Sequence, residues 1–341
     1  MINTLKSLCA LNGVSGNEGE VRDYIIGRAE KYTDSITVDA MGNLIASKKG
    51  AVTPARKVAL CAHMDEVGVI ITGFTDDGFL KFATVGGIDS RVIIGKAVNI
   101  GGSRLFGMIG CKAMHLVKDK EKDKAAEVDD LFIDIGAKSR EDAESRVCLG
   151  DTGAFDAEIR EFGDGFIKAK AIDDRFGCSV LLHLLESDLP IDCTFVFTVQ
   201  EEVGLRGAYT ASYGAAPDIA LIVEGTIAAD LPSVSGNKRV CKVGCGAVIP
   251  FMDGSTIYDR ELYNILTGIA GDNDIMWQTK TMVSSGTDAA AFQRSRAGVK
   301  TAGIAAPVRN LHSASCVAKV SDLEAVFDLA RLFLAKVGAL A

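Results

Sequence analysis

The stretch CTFVFTVQEEVG, residues 193–204, carries the pattern that best predicts both the fold and the position of a functional site. Residues 193–199 are almost entirely apolar, which is typical of a strand buried on both faces of an α/β sheet. The run ends in the acidic pair Glu201 and Glu202. Because open α/β sheets bind ligands at the carboxyl ends of their strands, this pair predicts a site at such an edge.

Working outward, apolar runs and helical periodicity predict further elements of an α/β protein. We expect helices over residues 2–11, 21–29, 176–185, 207–213, 259–270 and 322–337, the last capped by Ser321, and strands over residues 35–39, 44–47, 57–62 and 219–223. Between Glu66 and Ile167 short β-like runs alternate with glycines, and the charge-rich residues 118–130 predict a solvated loop. We therefore predict an α/β domain over residues 1–66 and 165–341, interrupted by a small β-rich domain over residues 67–164.

The composition excludes several classes of protein. Of the 341 residues 48% are hydrophobic, and 37 Lys and Arg against 45 Asp and Glu give a formal net charge of −8. That apolar content is too high for a disordered chain, and a nucleic-acid binder would need a surplus of basic residues. No apolar run is long enough to span a membrane, and the first residues lack a signal-peptide pattern. We expect a cytoplasmic protein with neither membrane nor nucleic acid as a partner.

The nine cysteines form no CxxC motif, and most lie in apolar segments. We expect reduced thiols that pack as small hydrophobic groups. Cys241 and Cys245 are the closest pair, but two thiolates without a nearby histidine are too few for a structural zinc site.

Candidate metal ligands follow several of the predicted strands. His63 comes directly after the apolar run VALCA, and Asp65 is placed to accept the second N–H of its imidazole ring. Glu224 ends the apolar segment ALIV, and His312 lies in a segment that we expect to be a loop. The alternative for His63 is a solvent-facing turn. His115 and His183 are expected to be structural, because they lie in a β-rich and an apolar helical context.

Asp173 and Asp174 precede the apolar helix that begins near Phe176. One of them is expected to cap this helix, and the other carboxylate could bridge two metals. In the acidic pair described first, one glutamate would bind a metal and its neighbour would act as a general base on water. The complete set of candidate ligands has two histidines and three carboxylates, which suits a pair of divalent cations: His63, Asp173, Glu202, Glu224 and His312.

The sequence resembles the M42 metallopeptidases, the glutamyl and tetrahedral aminopeptidases that are also labelled endoglucanase M. The resemblance runs in order over nearly the whole chain. It rests on the segments SGNEGE, DAMGNLIA, CAHMDEVG, GDTGAF, KAIDDRFGC, VQEEVGLRGA, SSGTDA and RNLHSAS. It implies a central mixed sheet with flanking helices, in which the β-rich insertion serves dimerisation, and often a hollow dodecamer.

The resemblance also implies a role for each site residue. His63 and Glu224 would bind one metal, Glu202 and His312 the other, and Asp173 would bridge them. Glu201 would be the general base and Asp65 the partner of His63, while a substrate loop would contain Ser285, Gly286, Thr287 and Asp288. The family often has aspartate in place of Glu224. Two zinc or cobalt ions per subunit are expected, and the substrates would be peptides with a free N-terminus.

Other functions remain open at this point. The same metal scaffold could serve a carboxypeptidase or an N-acyl amino-acid deacylase, and a non-catalytic assembly protein could keep the fold. The latter would lose a ligand or the base, whereas all the positions are filled here. Specificity for an acidic residue would need a cation in the pocket, for which Arg91 and Arg206 are candidates, while a leucine preference is equally open.

Overall fold

The computed structural model describes residues 1–117, 125–283 and 285–338, and its main sheet has eight strands. With strands numbered along the chain, their spatial order is β1 (Ser35–Val38), β2 (Leu44–Lys48), β12 (Cys193–Thr198), β3 (Val58–His63), β13 (Ile219–Ile227), β16 (Lys300–Val308), β14 (Ala247–Val248) and β15 (Trp277–Gln278). β12, β3, β13 and β16 run parallel, whereas β2 is antiparallel to β12 and β14 is antiparallel to β16. The predicted α/β class with a central mixed sheet is confirmed.

Helices cover both faces of this sheet. The larger core receives α1 (Ile2–Cys9), α2 (Gly19–Ala29), α5 (Ile172–Glu186), α7 (Arg260–Asp272) and α9 (Val320–Gly338), and the smaller one receives α6 (Arg206–Ala215) and α8 (Ala289–Gln293). Along β3, Leu60 and Ala62 belong to the first core, while Ala59 and Cys61 belong to the second. Because side chains alternate along a strand, both faces of β3 are buried, and this explains its continuous apolar run.

The β-rich insertion is a closed barrel with its own hydrophobic core. Around the barrel the strands follow the order β4 (Gly68–Phe74), β5 (Leu80–Val85), β8 (Leu131–Asp134), β7 (Leu105–Cys111), β6 (Ala97–Ile100) and β9 (Thr152–Phe155). Two short helices, α3 (Ser90–Ile93) and α4 (Arg140–Glu144), lie between barrel strands, and a third sheet contains β10 (Arg160–Phe162), β11 (Phe166–Ala169) and β17 (Cys316–Lys319).

Two local expectations need correction, and a third lies partly outside the described residues. The last helix begins at Val320, directly after β17, so Ser321 is not its cap. β13 continues to Ile227 because it stays paired with β16, so Glu224 lies inside the strand and not at its end. Of the expected loop over residues 118–130, residues 118–124 lie outside the described part of the chain, and Val128–Asp130 form a 3₁₀ turn.

Two general expectations can be compared directly with the structure. All nine cysteines are free thiols, as the sequence predicts. Among the helices of the described ranges, none combines the length and the apolar character needed to cross a membrane.

A buried ion network joins the N-terminal segment to α5. The Glu66 carboxylate accepts hydrogen bonds from Lys170 Nζ at 2.6 and 2.8 Å and from Arg175 Nη2 at 3.2 Å. The two cations also donate to backbone carbonyls, Lys170 to Leu11 at 2.6 Å and Arg175 to Leu8 at 3.0 Å. The network therefore fastens the end of α1 beside the start of α5.

We expect Glu66→Ala to destabilise the protein by about 3–5 kcal/mol, because it leaves two buried cations without their counter-ion. Urea unfolding measures the change. The control is Glu144→Ala, which removes an exposed partner of Arg140 and should leave the stability almost unchanged. A Glu66→Ala protein as stable as the control variant would contradict the structural role of the network.

Candidate active site

Polar side chains from the parallel strands meet at the carboxyl-end edge of the sheet. His63, the last residue of β3, points its Nε2 atom at Glu224 Oε1 of β13, at 3.1 Å. The pairing between these strands stops at Cys61 and Ile222, so the two side chains face each other where the ladder opens. The first histidine–carboxylate pair is thus a direct consequence of the strand register.

A second pair faces the first. Glu202 Oε2 lies 3.1 Å from His312 Nε2. Glu202 follows β12 after Gln200, which has a left-handed φ of 55° and turns the chain away from the strand. His312 comes from the loop before β17 and also has a positive φ, of 55°.

Asp173 lies between the two pairs. Its Oδ1 atom is 3.6 Å from His63 Nε2, and its Oδ2 atom is 4.0 Å from His312 Nε2. The backbone N–H of Gly225 donates to Oδ1 at 3.1 Å and holds the carboxylate in place. Each oxygen of Asp173 is therefore directed at a different histidine.

Asp174 turns away from this arrangement and serves the backbone. Its carboxylate accepts the N–H of Gly177 at 2.8 Å, as a cap of α5 does, and the N–H of His63 at 3.2 Å. Its side chain still lies near the cluster. Ligand atoms within 4.8 Å of one another are found both in the group His63, Asp173 and Glu202 and in the group His63, Asp174 and Glu224.

Asp65 positions Glu201, Glu202 and His63 through contacts with their backbone and ring nitrogens. It is fully buried, and its two oxygens accept the N–H groups of Glu201 at 2.9 Å and Glu202 at 3.1 Å. The hydroxyl of Ser15 donates to the same carboxylate at 2.6 Å. Asp65 Oδ1 also lies 3.4 Å from His63 Nδ1, so one side chain joins two strand ends and the N-terminal segment.

Both histidines present the same nitrogen to the cluster. His63 Nδ1 lies 3.1 Å from the carbonyl oxygen of Asp65, and His312 Nδ1 lies 2.9 Å from that of Gly87. A carbonyl oxygen only accepts, so Nδ1 carries the proton in each ring. The Nε2 atoms then face the carboxylates, which is the arrangement of metal-binding histidines with outer partners.

The electrostatics of the cluster indicate that it accommodates cations. Burial raises the pKa of Glu201 and Glu202 well above the ordinary range and raises that of Glu224 to about 8. Burial alone would lower the pKa of His63, but the carboxylates of Glu224, Asp173 and Asp65 raise it well above its usual value. Glu224 Oε2 has no hydrogen-bond partner in the described residues. The cluster offers nitrogen and oxygen donors, and its buried carboxylates outnumber the histidines that could neutralise them. Such a set of donors suits divalent metal ions.

The four residues of the expected substrate loop differ in how deeply they are buried. Asp288 is buried and accepts hydrogen bonds from Thr198 and Cys61, and burial raises its pKa to about 6. Ser285 is exposed and Gly286 packs closely against Ser255, whereas Thr287 lines a cleft beside Glu224.

The remaining candidates lie elsewhere. Arg91 is exposed and bound to Asp89, and Arg206 is exposed at the start of α6. His183 lies on α5 against the amino group of Met1, and His115 is exposed on a short 3₁₀ turn, so it is not a core residue. The sequence analysis missed Ser15, which binds Asp65, and Lys280, a buried cation that lines the cleft beside Glu224.

The fold and the cluster together define an α/β protein with a candidate divalent-metal centre at the carboxyl-end edge of its sheet, an arrangement suited to metal-dependent hydrolysis. The family profile of the M42 glutamyl aminopeptidases matches residues 42–329, and the chain belongs to this family. It is therefore a metal-dependent peptide hydrolase of the aminopeptidase type.

Individual relatives agree with this assignment. A protein of Acetivibrio thermocellus that carries an aminopeptidase name is 38% identical over 325 residues, which cover 95% of each chain. The solved aminopeptidase of Desulfurococcus kamchatkensis is 34% identical, with a TM-score of 0.93 over 98% of this chain and 94% of its own. The Pyrococcus horikoshii TET1 peptidase, which can assemble into a tetrahedron or a large octahedral shell, is 35% identical, with a TM-score of 0.85 over 98% of both chains.

We expect Asp65→Ala to weaken divalent-metal binding by about 10- to 100-fold, because the change frees the backbone of Glu202 and the ring of His63. Calorimetric titration of zinc into the chelated protein measures this effect. Ser15→Ala removes only one of the bonds to Asp65 and should have a much smaller effect. Equal metal affinity in the Asp65→Ala and wild-type proteins would contradict the positioning role.

Proposed function

We propose that the cluster holds two divalent cations per subunit, zinc or cobalt. We also propose that the enzyme uses these cations to remove N-terminal residues from peptides. His63 and Glu224 would hold one cation, Glu202 and His312 the other, and Asp173 would contact both. The observation that carries this proposal is the pair of 3.1 Å histidine–carboxylate contacts, with one Asp173 oxygen directed at each histidine.

Glu201 is the proposed general base. Its N–H is held by Asp65, and its carboxylate makes no hydrogen bond within the described part of the chain, so it can take a proton from water and return it to the leaving amine. When bound, the cations supply Lewis acidity and lower the pKa of water. Asp65 is a positioning residue, because it acts through Glu201, Glu202 and His63.

The proposed substrates are peptides with a free N-terminal amine, and Thr287 would contact them from the cleft beside Glu224. The carboxypeptidase and deacylase alternatives use the same cluster but require a free C-terminus or an acylated amine. The carboxylates of the cluster are directed at histidines at short range, which supports metal binding over the acid pair of a glycosidase.

We also propose a cytoplasmic homo-oligomer built from dimers that pair through the barrel, with a tetrahedral dodecamer as the expected form. The assembly of the Pyrococcus horikoshii relative supports this proposal. On β7, Phe106 and Met108 are 53% and 38% exposed, whereas Ile109 between barrel strands is buried. An outward apolar face of this kind is typical of a surface covered in an oligomer.

We expect chelation to abolish cleavage of aminoacyl p-nitroanilides and zinc, cobalt or manganese to restore it only for substrates with a free α-amine. The physical reason is that the buried carboxylates and histidines of the cluster can act on the scissile bond only with cations present. Absorbance of released p-nitroaniline, measured for free and N-acetylated substrates, follows the reaction. Release of p-nitroaniline from the N-acetylated series as well would contradict the requirement for a free amine, whereas release of acetate from that series would favour the deacylase.

We expect Glu201→Gln to lower kcat by about 100-fold or more while the protein still binds two metals, because the amide cannot accept a proton. Glu202→Gln should instead lose metal. Mass spectrometry of the intact metal-loaded variants and initial rates separate the two effects, and Glu144→Gln on the exposed surface is the control. Loss of metal in Glu201→Gln would contradict the proposed division between base and ligand.

A further inference from the structure

A polar cavity lies where residues 12–20 meet the barrel, apart from the candidate metal ligands. Asn12, Asn17 and Glu20 line it from the N-terminal side, and Asn99 and Thr152 line it from the barrel. It has about 520 Å³ of space between its atoms, including its open mouth. Cavities of about 300–1,000 Å³ are typical of small-molecule sites, so this one has room for a small ligand.

Two asparagine side chains on the cavity wall, those of Asn12 and Asn99, make no hydrogen bond with the described residues. Asn12 is only 9% exposed, and its recorded bond comes from its backbone N–H. On β6, Val98 and Ile100 belong to the barrel core, so Asn99 between them points outward, on the side of the cavity. Because an amide shielded from bulk water needs hydrogen-bond partners, both amides are available to a polar ligand.

A pair of opposite charges lies beside these amides. Glu20 Oε2 accepts the backbone N–H of Asn12 at 3.1 Å and lies 2.5 Å from Arg104 Nη2. Glu20 Oε1 makes no hydrogen bond with any residue of the described ranges. The side chains of Glu20 and Arg104 are 39% and 43% exposed, so a ligand can reach both from solvent. The cavity therefore offers an anion and a cation within one small polar space.

We infer that this cavity binds a free α-amino acid with a small side chain. The ammonium group of the ligand would donate to Glu20 Oε1, and its carboxylate would accept from Arg104 and from the amide of Asn99. A ligand with both charges suits the site better than a single ion, because Arg104 repels a metal cation and Glu20 repels a simple anion. None of the lining residues is aromatic, so a nucleobase or a sugar ring would find no stacking surface.

The N-terminal wall of the cavity, residues 12–20, also contacts the candidate active site. The Ser15 hydroxyl donates to Asp65 at 2.6 Å, and the Glu18 carboxylate accepts the N–H of Gln200, which directly precedes the proposed base, at 3.1 Å. A bound amino acid would join this stretch to the barrel more firmly. Its binding does not depend on the proposed function, although that function would release such amino acids as products.

The first test is calorimetric titration of L-alanine into the zinc-loaded wild type and two variants. The wild type should bind L-alanine with a Kd below about 1 mM. Glu20→Gln and Asn99→Leu should each weaken binding by about 10-fold or more, because each removes a group that contacts one end of the amino acid. Glu144→Gln is the matched control, since Glu144 is also an exposed partner of an arginine, and it should leave the affinity unchanged.

Two analogues test the need for both charges. Isopropylamine keeps the ammonium group of L-alanine and isobutyrate keeps its carboxylate. Each should bind the wild type about 10-fold or more weakly than L-alanine does, because one charged contact is lost. The analogues also stand for the two ends of a peptide, each of which carries a single charge. Binding of isopropylamine or isobutyrate as tight as that of L-alanine would overturn the assignment to a free amino acid.

Hydrogen exchange shows where L-alanine binds, and it needs no turnover. In the wild type L-alanine should slow amide exchange several-fold in residues 12–20 and 99–104, and Glu20→Gln should lose this protection. Protection confined to the segments of the metal ligands, or an affinity that is unchanged in both variants, would place L-alanine at the metal centre and overturn the inference. Absence of both heat and protection at about 10 mM L-alanine would overturn it as well.

Discussion

The arrangement of the site depends on the buried carboxylate of Asp65. It accepts the backbone N–H groups that follow β12 and the hydroxyl of Ser15, and it lies beside the ring of His63. Two parallel strands and the N-terminal segment are thus joined at one side chain. Without it, the N–H groups of Glu201 and Glu202 would lose their acceptors, and no side chain would tie these two residues to His63.

The candidate metal ligands near Asp65 are mostly buried, and their carboxylates outnumber their histidines. Burial raises the pKa of Glu224 to about 8, whereas the surrounding histidines, against the effect of burial, lower that of Asp173 to about 2. Such carboxylates tolerate burial when cations neutralise them. The protonated Nδ1 atoms of both histidines, held by backbone carbonyls, direct Nε2 inward and complete a set of donors suited to divalent metals.

The sequence allowed part of this to be predicted. His63 and Glu202 follow buried apolar strands, and a polar side chain at that position indicates a ligand edge on physical grounds alone. His312 was placed mainly by the family resemblance, because its position depends on the Gly87 carbonyl from the barrel, far away in sequence. The different tasks of Asp173 and Asp174 depend on non-helical backbone angles at the start of α5, which no residue pattern indicates. Lys280 was missed because its burial depends on tertiary packing, and the half-buried and exposed residues beside it give no pattern that indicates it.

The central claim is that two cations share Asp173 between the two histidine–carboxylate pairs. The most direct measurement is anomalous X-ray scattering from crystals of the zinc-loaded protein. The account predicts two peaks per subunit, one between His63 and Glu224 and one between Glu202 and His312, with Asp173 contacting both. A single peak, or peaks held by residues outside this set, would contradict it.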